Sequence, residues 1–278
     1  MNPQPNNGQG LPANIRVAAV QMVSTPRLDE NLATAGRLVA DAVAQGAGLV
    51  ALPEYFPIMG LSDGDKVKVR EVDGSGPIQE FLVETARRHG VWLVAGSLPL
   101  VARDPGKVLN SCLVYDPSGK RAARYDKIHL FGFQKGTESY NESATIEAGK
   151  VPVAFETPFG RVGLSICYDL RFPELYRAMG GCDLHIIPAA FTETTGRAHW
   201  EVLLRARAIE NQCYVLAIGQ GGKHENGRET HGNSMLIDPW GEMLDRKAKG
   251  EGVVIGNLDH ARIAEIRASL PALKHRVM

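Results

Sequence analysis

The stretch VGLSICYDLRFPEL, residues 162–175, changes from a strand pattern to a helix pattern within a few positions. Bulky aliphatic residues alternate with Gly, Ser and Cys in its first half, which is the two-residue period of a β-strand. Pro173 then suits the first turn of a helix, where its missing N–H is not needed. Cys167 lies at the junction, so it is either a small core residue or a nucleophile on a strand-to-helix turn.

Strand and helix patterns alternate along the rest of the chain as well. Strands are predicted at 15–22, 47–54, 91–98, 182–191 and 213–222, and helices from about Asp29, over 77–89 and from about Arg197 to Asn211. Two hairpins, at 110–120 and 233–242, carry the turn pattern Asp-Pro-x-Gly. The order helix, apolar strand, Asn-Ser strand, turn, strand therefore occurs twice. This favours a layered α/β domain with internal pseudo-symmetry and not a barrel of regular βα units.

The charges of the chain balance, with 31 Lys and Arg against 31 Asp and Glu. No basic excess is available to displace the counterions of a nucleic acid, and no apolar run is long enough to cross a membrane, so we expect neither partner. Residues 1–14 are rich in Asn, Pro and Gly and lack the regions of a signal peptide. They are predicted to form a disordered tail before a single domain over residues 15–278.

The four cysteines lie far apart and show no C-x-x-C spacing, which argues against a zinc site or a disulfide framework. We therefore expect a reducing, cytoplasmic location. Three of them lie in apolar strand patterns without a following cluster of charges and are interpreted as core residues: Cys112, Cys182 and Cys213.

Three reactive side chains follow strand patterns, where layered α/β proteins commonly place their sites. They are Glu54, Lys127 and Cys167. A lysine ammonium favours a thiolate, and a glutamate can accept the thiol proton and later protonate a departing amine. The oxyanion of an acyl transfer needs donors, for which the Lys127 ammonium and the backbone N–H of Tyr168 are suited. Composition and spacing leave the alternatives open, namely a packed cysteine and two solvated charges.

Several motifs, in this order, resemble those of the nitrilase superfamily of carbon–nitrogen hydrolases over residues 16–276. They are ALPEYF, YDKIHLF, ICYDLRFPEL, HWEVLLRARAIENQCYV and DPWG. The resemblance implies the Glu-Lys-Cys triad of that superfamily at Glu54, Lys127 and Cys167. It also implies an αββα sandwich, which pairs through helices into an αββααββα homodimer or a higher homo-oligomer.

A second active-site glutamate lies between the lysine and cysteine motifs of the superfamily. In YNESATIEAG, the Glu-Ser pair followed by Gly149 places it at Glu142, while Glu138 and Glu147 are nearby alternatives. Its charge near Glu54 is expected to raise the pKa of one of the two carboxyl groups.

The segment FTETTGRAHWEVLLRARAIE most resembles the amidase branch that contains deaminated glutathione amidase and ω-amidase. This implies hydrolysis of a small carboxylated amide, such as the α-keto acid amide deaminated glutathione. The reaction passes through a thioester on Cys167, releases ammonia or an amine, and uses no metal or organic cofactor. In this interpretation Gly163 and Ser165, on the same strand face as Cys167, leave room for the substrate near the sulfur. Gly132 replaces an aspartate of many relatives, which bears on substrate identity.

Arg171 is the candidate anchor for the substrate carboxylate, with an ion pair to Glu174 as the alternative. Four more residues are candidates for substrate contact, with helix capping and packing as the alternative: Phe191, Thr192, Thr195 and His199. An N-carbamoyl amino acid amidohydrolase or a nitrilase would use the same triad. A non-catalytic binding protein of this fold would be expected to lack a triad residue.

Overall fold

The computed structural model describes residues 14–136 and 138–277. In chain order, the strands are β1 (Asn14–Gln21), β2 (Leu49–Ala51), β3 (Trp92–Val94), β4 (Leu98–Val101), β5 (Val108–Tyr115), β6 (Arg121–Asp126), β7 (Gly132–Lys135), β8 (Glu138–Asn141), β9 (Ile146–Glu147), β10 (Val153–Thr157), β11 (Gly160–Leu164), β12 (Leu184–Ala189), β13 (Tyr214–Gly219), β14 (Ser234–Ile237), β15 (Met243–Lys247) and β16 (Gly252–Asp259). The helices are α1 (Leu28–Ala44), α2 (Asp65–Lys68), α3 (Pro77–His89), α4 (Pro173–Ala178), α5 (Glu193–Asn211) and α6 (His260–Ser269). The predicted tail lies outside the described residues, except for Asn14, which begins β1.

The first sheet has the strand order β16-β1-β2-β3-β5-β4, and β6 and β9 also pair with β5. Strands β1, β2 and β3 run parallel, and most of their residues are buried, in β1 from Val17 onwards. Continuous apolar runs such as VAAV and LVAL are the pattern of strands that are covered on both faces. Strand β16, which the sequence patterns did not predict, pairs antiparallel with β1 along its whole length.

The second sheet has the order β10-β11-β12-β13-β14-β15, with β11, β12 and β13 parallel. Each sheet contains one of the two predicted hairpins. Gly119 and Gly241 end the two turns with φ angles of 81° and 89°, a backbone conformation that glycine adopts without a steric penalty. Each glycine N–H donates to the carbonyl of the aspartate that begins its turn, over 2.9 Å in both cases. The predicted internal pseudo-symmetry is confirmed.

The helices form the outer layers. Apolar residues of α1 and α3 pack with one face of the first sheet, and those of α4 and α5 belong to the core of the second sheet. Between the sheets, residues such as Val17, Ala51 and Val114 of the first sheet share a single core with Leu164, Ile186 and Leu216 of the second. The layer order is therefore αββα, as predicted, because each sheet has two apolar faces to cover.

Several element bounds differ from the predictions. The predicted strand 91–98 is divided into β3 and the first residue of β4, and β12 and β13 are shorter than predicted. Helix α5 begins at Glu193, before the predicted start near Arg197, because Thr192 caps it: its side-chain oxygen accepts a hydrogen bond from the Thr195 N–H over 3.3 Å. Strand β2 is shorter than the predicted strand 47–54. It ends at Ala51, and the next two residues connect it to Glu54. In the described part of the chain, no helix combines the length and apolarity that crossing a membrane requires.

Candidate active site

The three predicted reactive side chains lie just beyond the carboxyl ends of strands from both sheets. Glu54 follows β2, Lys127 directly follows β6, and Cys167 follows β11. All three side chains are buried where the ends of these strands meet between the two sheets. The sequence predicted the strand ends, and the sandwich places them side by side.

Lys127 is the centre of the cluster. Its ammonium is fully buried and donates to Glu54 Oε1 at 2.9 Å and to the two carboxylate oxygens of Glu142 at 2.9 and 2.8 Å. A buried ammonium between two carboxylates leaves a net negative charge, which must be stabilised by further donors.

Glu54 receives two of those donors. Asn110 Nδ2 donates to its Oε1 over 3.0 Å, and the backbone N–H of Ala190, which follows β12, donates to its Oε2 over 2.8 Å. This carboxylate and Cys167 line the same cavity, and the charge of Glu54 helps to raise the pKa of the Cys167 thiol. Glu54 therefore binds the buried lysine and lies in the same cavity lining as the nucleophile candidate.

Glu142 is the glutamate that reaches Lys127. It accepts hydrogen bonds from the Tyr55 hydroxyl over 2.9 Å and from the Phe131 N–H over 2.7 Å. The two alternative positions point elsewhere: Glu138 accepts from the Thr194 hydroxyl, and Glu147 pairs with Arg103. Gly149 is explained by close packing, since a Cβ there would lie 2.1 Å from the carbonyl oxygen of Asp126.

Burial and charge set the protonation of the cluster. Burial raises the pKa of Glu54, and the charge of Lys127 offsets this only in part. Burial also acts to raise the pKa of Glu142, but Lys127 and the other hydrogen-bond donors bring it below its ordinary value. Although burial opposes it, the two carboxylates raise the pKa of Lys127 well above its ordinary value. Burial and the charge of Glu54 raise the pKa of the Cys167 thiol. Without substrate, the sulfur is therefore protonated at neutral pH.

The backbone at Cys167 is unusual. Its φ angle is 51°, a left-handed conformation that costs a non-glycine residue about 1–2 kcal/mol. The buried carboxylate of Asp169 holds this turn, because it accepts from the Ile166 N–H over 2.9 Å and from the Tyr125 hydroxyl over 2.7 Å. Its other oxygen accepts from the His129 N–H over 3.0 Å and lies 2.8 Å from His129 Nδ1. Asp169 thus ties the cysteine turn to the lysine motif.

We expect Asp169→Asn to lower the free energy of unfolding by about 1–3 kcal/mol. The NH₂ group of the asparagine side chain would face groups that now donate hydrogen bonds to the carboxylate, and these bonds would be lost. It should also lower kcat more than it changes KM, since the Cys167 turn loses its support. Urea unfolding and steady-state kinetics measure the two effects. The exposed Asp41→Asn is the matched control, with an expected stability change below about 0.5 kcal/mol. Equal stabilities of the Asp169 variant and the control would contradict this role.

The small residues before Cys167 do not serve the substrate, and that expectation was wrong. A Cβ on Gly163 would lie 2.4 Å from His185 Nδ1, so the glycine makes room for a buried histidine. The Ser165 hydroxyl lies 2.8 Å from the Tyr176 hydroxyl of α4. Gly163 and Ser165 therefore face the buried side chains of His185 and Tyr176. Cys167 does not share this orientation, because the 3₁₀ turn that begins there ends the alternation of the strand.

A cavity opens from this cluster to solvent, and Glu54, Glu142 and Cys167 line it. Two cationic side chains also line it, Lys66 of α2 and Arg228. A second, smaller cavity also contacts Cys167 and Tyr168, the predicted oxyanion donor, and three of the predicted substrate contacts line it: Phe191, Thr192 and Thr195. Thr192 therefore has both roles: it caps α5 and it lines the cavity.

Arg171 lies behind the smaller cavity and outside its lining. Its guanidinium carbon is 5.6 Å from the ring centroid of Tyr168 and 5.2 Å from that of Phe191, and it donates to His199 Nδ1 over 3.2 Å. No carboxylate forms an ion pair with it among residues 14–136 and 138–277, so the alternative pairing with Glu174 is not formed. His199 likewise contacts Arg171 and lines neither cavity. Gly132 begins β7, next to Phe131.

Tyr55, Asn110 and Asp169 are site residues that the sequence interpretation did not single out. Tyr55 follows Glu54 directly in ALPEYF, and Asp169 lies within ICYDLRFPEL, so both were in quoted motifs without an assigned role. Asn110 begins the Asn-Ser pattern of β5, which had been read only as a strand. In the described part of the chain, no group of three or more His, Cys, Asp or Glu side chains is arranged to hold a metal ion.

The buried Glu-Lys-Glu cluster beside a strained cysteine agrees with the comparison with known proteins. The profile of the carbon–nitrogen hydrolase family matches residues 16–268. The chain belongs to the carbon–nitrogen hydrolase family. This carbon–nitrogen hydrolase is 45% identical over 266 residues to the deaminated glutathione amidase of Synechocystis sp., covering 94% of this chain and 97% of the relative.

A second relative, the omega-amidase NIT2 of Danio rerio, is 38% identical to this hydrolase over 267 residues, with 95% of each chain covered. Among solved structures, Nit3 of Saccharomyces cerevisiae, a member of the nitrilase superfamily, matches with a TM-score of 0.85 and 28% identity, over 98% of this chain and 100% of that one. The resemblance noted in the motifs is confirmed, and with it the α/β fold.

Proposed function

We propose that the protein is an amidase that cleaves the carbon–nitrogen bond of a small carboxylated amide through a thioester on Cys167. The observation that carries the proposal is the buried Lys127 ammonium held by Glu54 and Glu142, with Glu54 and Cys167 in the lining of one cavity. The names of relatives at 38–45% identity support an amide as the substrate.

In the proposed reaction Glu54 accepts the thiol proton as the sulfur attacks the amide carbon, since the thiol is neutral beforehand. The oxyanion that forms is stabilised by the Lys127 ammonium and the Tyr168 N–H. Glu54 then transfers its proton to the amide nitrogen, the C–N bond breaks, and the amine or ammonia leaves. A water molecule, deprotonated by Glu54, attacks the thioester, and the carboxylic acid product is released. The raised pKa of Glu54 suits a group that both accepts and returns a proton.

The substrate proposal follows the names of the relatives: an α-keto acid amide such as deaminated glutathione. Arg171, stacked on Tyr168 and Phe191 behind the smaller cavity, is proposed to attract the carboxylate of the acyl half. Hydrolysis of an N-carbamoyl amino acid or a nitrile by the same triad is the second candidate. A purely binding role is disfavoured because all three triad residues are present and in contact.

Intact-protein mass spectrometry with a panel of amides, N-carbamoyl compounds and nitriles tests the function. We expect α-keto acid amides to add the mass of their acyl group to the protein, and tryptic mapping to place the adduct on Cys167. Product analysis should show ammonia or an amine without carbon dioxide. Carbon dioxide release would instead indicate a carbamoylase. The absence of any adduct and of any turnover over the whole panel would contradict an enzymatic role.

Three further proposals concern the whole molecule. We propose that residues 15–278 act as one domain and that two copies pair through their helix layers into a homodimer. Exposed apolar side chains on α5 support the pairing, since Val202 and Ile209 are 69% and 49% exposed in the single chain. A cytoplasmic location is supported by the four cysteines, all free in the structure.

A further inference from the structure

Asn110, near the start of β5, contacts both the glutamate and the lysine of the buried cluster. Its backbone carbonyl accepts from the Lys127 N–H over 2.9 Å, and its side-chain Nδ2 donates to Glu54 Oε1 over 3.0 Å. The residue is buried and is not part of the cavity lining at Cys167. Asn110 therefore acts on the reactive groups and not on the substrate.

The other polar atom of this amide has no partner. Asn110 Oδ1 is buried and accepts no hydrogen bond within residues 14–136 and 138–277. A buried acceptor without a donor destabilises the folded state, and an apolar side chain of similar size would avoid that loss. Rotation of the amide by half a turn would place Oδ1 against the Glu54 carboxylate, acceptor against acceptor. What asparagine contributes at this position is therefore the N–H group that it donates to Glu54.

The hydrogen bonds give the two oxygens of Glu54 different surroundings. Oε1 accepts from Lys127 Nζ at 2.9 Å and from Asn110 Nδ2, and these two donors occupy its two lone pairs. In the described part of the chain, Oε2 accepts one hydrogen bond, from the Ala190 N–H over 2.8 Å. One lone pair of Oε2 is therefore left to accept a proton.

Four ionisable groups interact with Glu54: Lys127, Glu142, Cys167 and Tyr55. Burial raises the pKa of Glu54, Lys127 lowers it, and the charge of Glu142 raises it further. An amide N–H that donates to the carboxylate favours its ionised form, because a hydrogen bond to a charged form stabilises that form. The amide does this without adding a second positive charge, which would make the carboxylate a weaker base.

We propose that Asn110 is a positioning residue, which holds Oε1 of Glu54 and thereby makes Oε2 the oxygen that carries the proton. The proton leaves the sulfur as the C–S bond forms, resides on Oε2, and moves to the nitrogen as the C–N bond breaks. The bonds from Lys127 and Asn110 to Oε1 stay in place throughout. This inference rests on the proposed amidase function and adds how the base is oriented.

The test measures kcat/KM against pH for wild type, Asn110→Leu and Asn110→Asp. The substrate is deaminated glutathione, or the amide of the panel above with the highest kcat/KM if that is another. The acid limb of this profile reports the apparent pKa of the coupled Glu54 and Glu142 carboxyl groups in the free protein. Thermal unfolding of each variant shows whether the measured rate belongs to folded protein.

We expect Asn110→Leu to move the acid limb upward by about one pH unit, because the carboxylate loses a donor. It should also lower kcat about ten- to a hundredfold, since the base loses its orientation. Asn110→Asp should move the acid limb further in the same direction, because a third carboxylate disfavours the ionisation of Glu54. A packing role for Asn110 predicts the reverse order, with Asn110→Asp close to wild type because the two side chains have the same shape.

Asn211→Leu is the matched control. Asn211 is also buried, and its Nδ2 donates to the Arg207 carbonyl over 2.9 Å at the end of α5, outside the cavity lining. This variant should lose stability and keep the acid limb of wild type. An unshifted acid limb in both Asn110 variants would overturn the proposal while leaving the amidase function intact. Failure of the wild-type protein to cleave any amide of the panel or to form an acyl adduct would instead count against the amidase function itself.

Discussion

Cys167→Ser should reduce amide hydrolysis by at least about a thousandfold while the protein stays folded. Serine has nearly the same size and tolerates the same backbone, but its hydroxyl is a far weaker acid than a thiol, and Glu54 is too weak a base to activate it. Removal of a nucleophile in comparable covalent enzymes costs up to about 10⁶ in kcat. The rate of amine release at saturating substrate and the thermal unfolding curve of the variant measure the two parts of this prediction.

Cys182→Ser is the matched control for this substitution. Cys182 is also buried, but it lies before β12 on the side away from the site, and its backbone carbonyl accepts from Arg267. Some stability should be lost, because a buried thiol is replaced by a more polar hydroxyl, yet the activity of each folded molecule should be retained. If Cys167→Ser kept more than a tenth of the wild-type rate, the thioester mechanism would be wrong.

Lys127→Met should lower the free energy of unfolding by about 3–5 kcal/mol at neutral pH and abolish activity. The reason is that Glu54 and Glu142 would face each other, buried, without the cation that separates them. The double variant Lys127→Met/Glu142→Gln should regain part of the stability, because one of the two buried charges is gone. It should remain inactive, since the oxyanion still lacks the ammonium.

The stability loss in Lys127→Met should depend on pH. Without the ammonium, the pKa of at least one carboxyl group in the folded variant lies above its value in the unfolded chain, which for glutamate is about 4.3. A carboxyl group of this kind stabilises the folded state in its protonated form, so the deficit should be smallest below about pH 4.3 and should grow as the pH rises. Urea unfolding of wild type and variant across this range measures the difference. A deficit that did not change with pH would show that buried charge is not its cause.

Local patterns in the sequence predicted much of the fold, because the spacing of apolar residues over a short segment distinguishes a strand from a helix. Helix α3 has its predicted bounds, since Pro77 and Gly90 mark its two ends, and Gly90 adopts the left-handed conformation that terminates a helix. The two Asp-Pro-x-Gly turns fixed where the hairpins reverse. The start of α5 was less well predicted because Thr192, not the apolar period, determines it.

The sequence by itself determined which reactive residues follow strands, and the motif resemblance assigned them to a triad. Only the tertiary structure decided that Glu142, and neither Glu138 nor Glu147, reaches Lys127. It also showed that Gly163 makes room for His185 and that Lys66 lines the cavity. The physical reason is the same in each case. These contacts join segments that are far apart in the chain, and the packing of the two twisted sheets determines which side chains meet. The local spacing of apolar residues does not specify that packing.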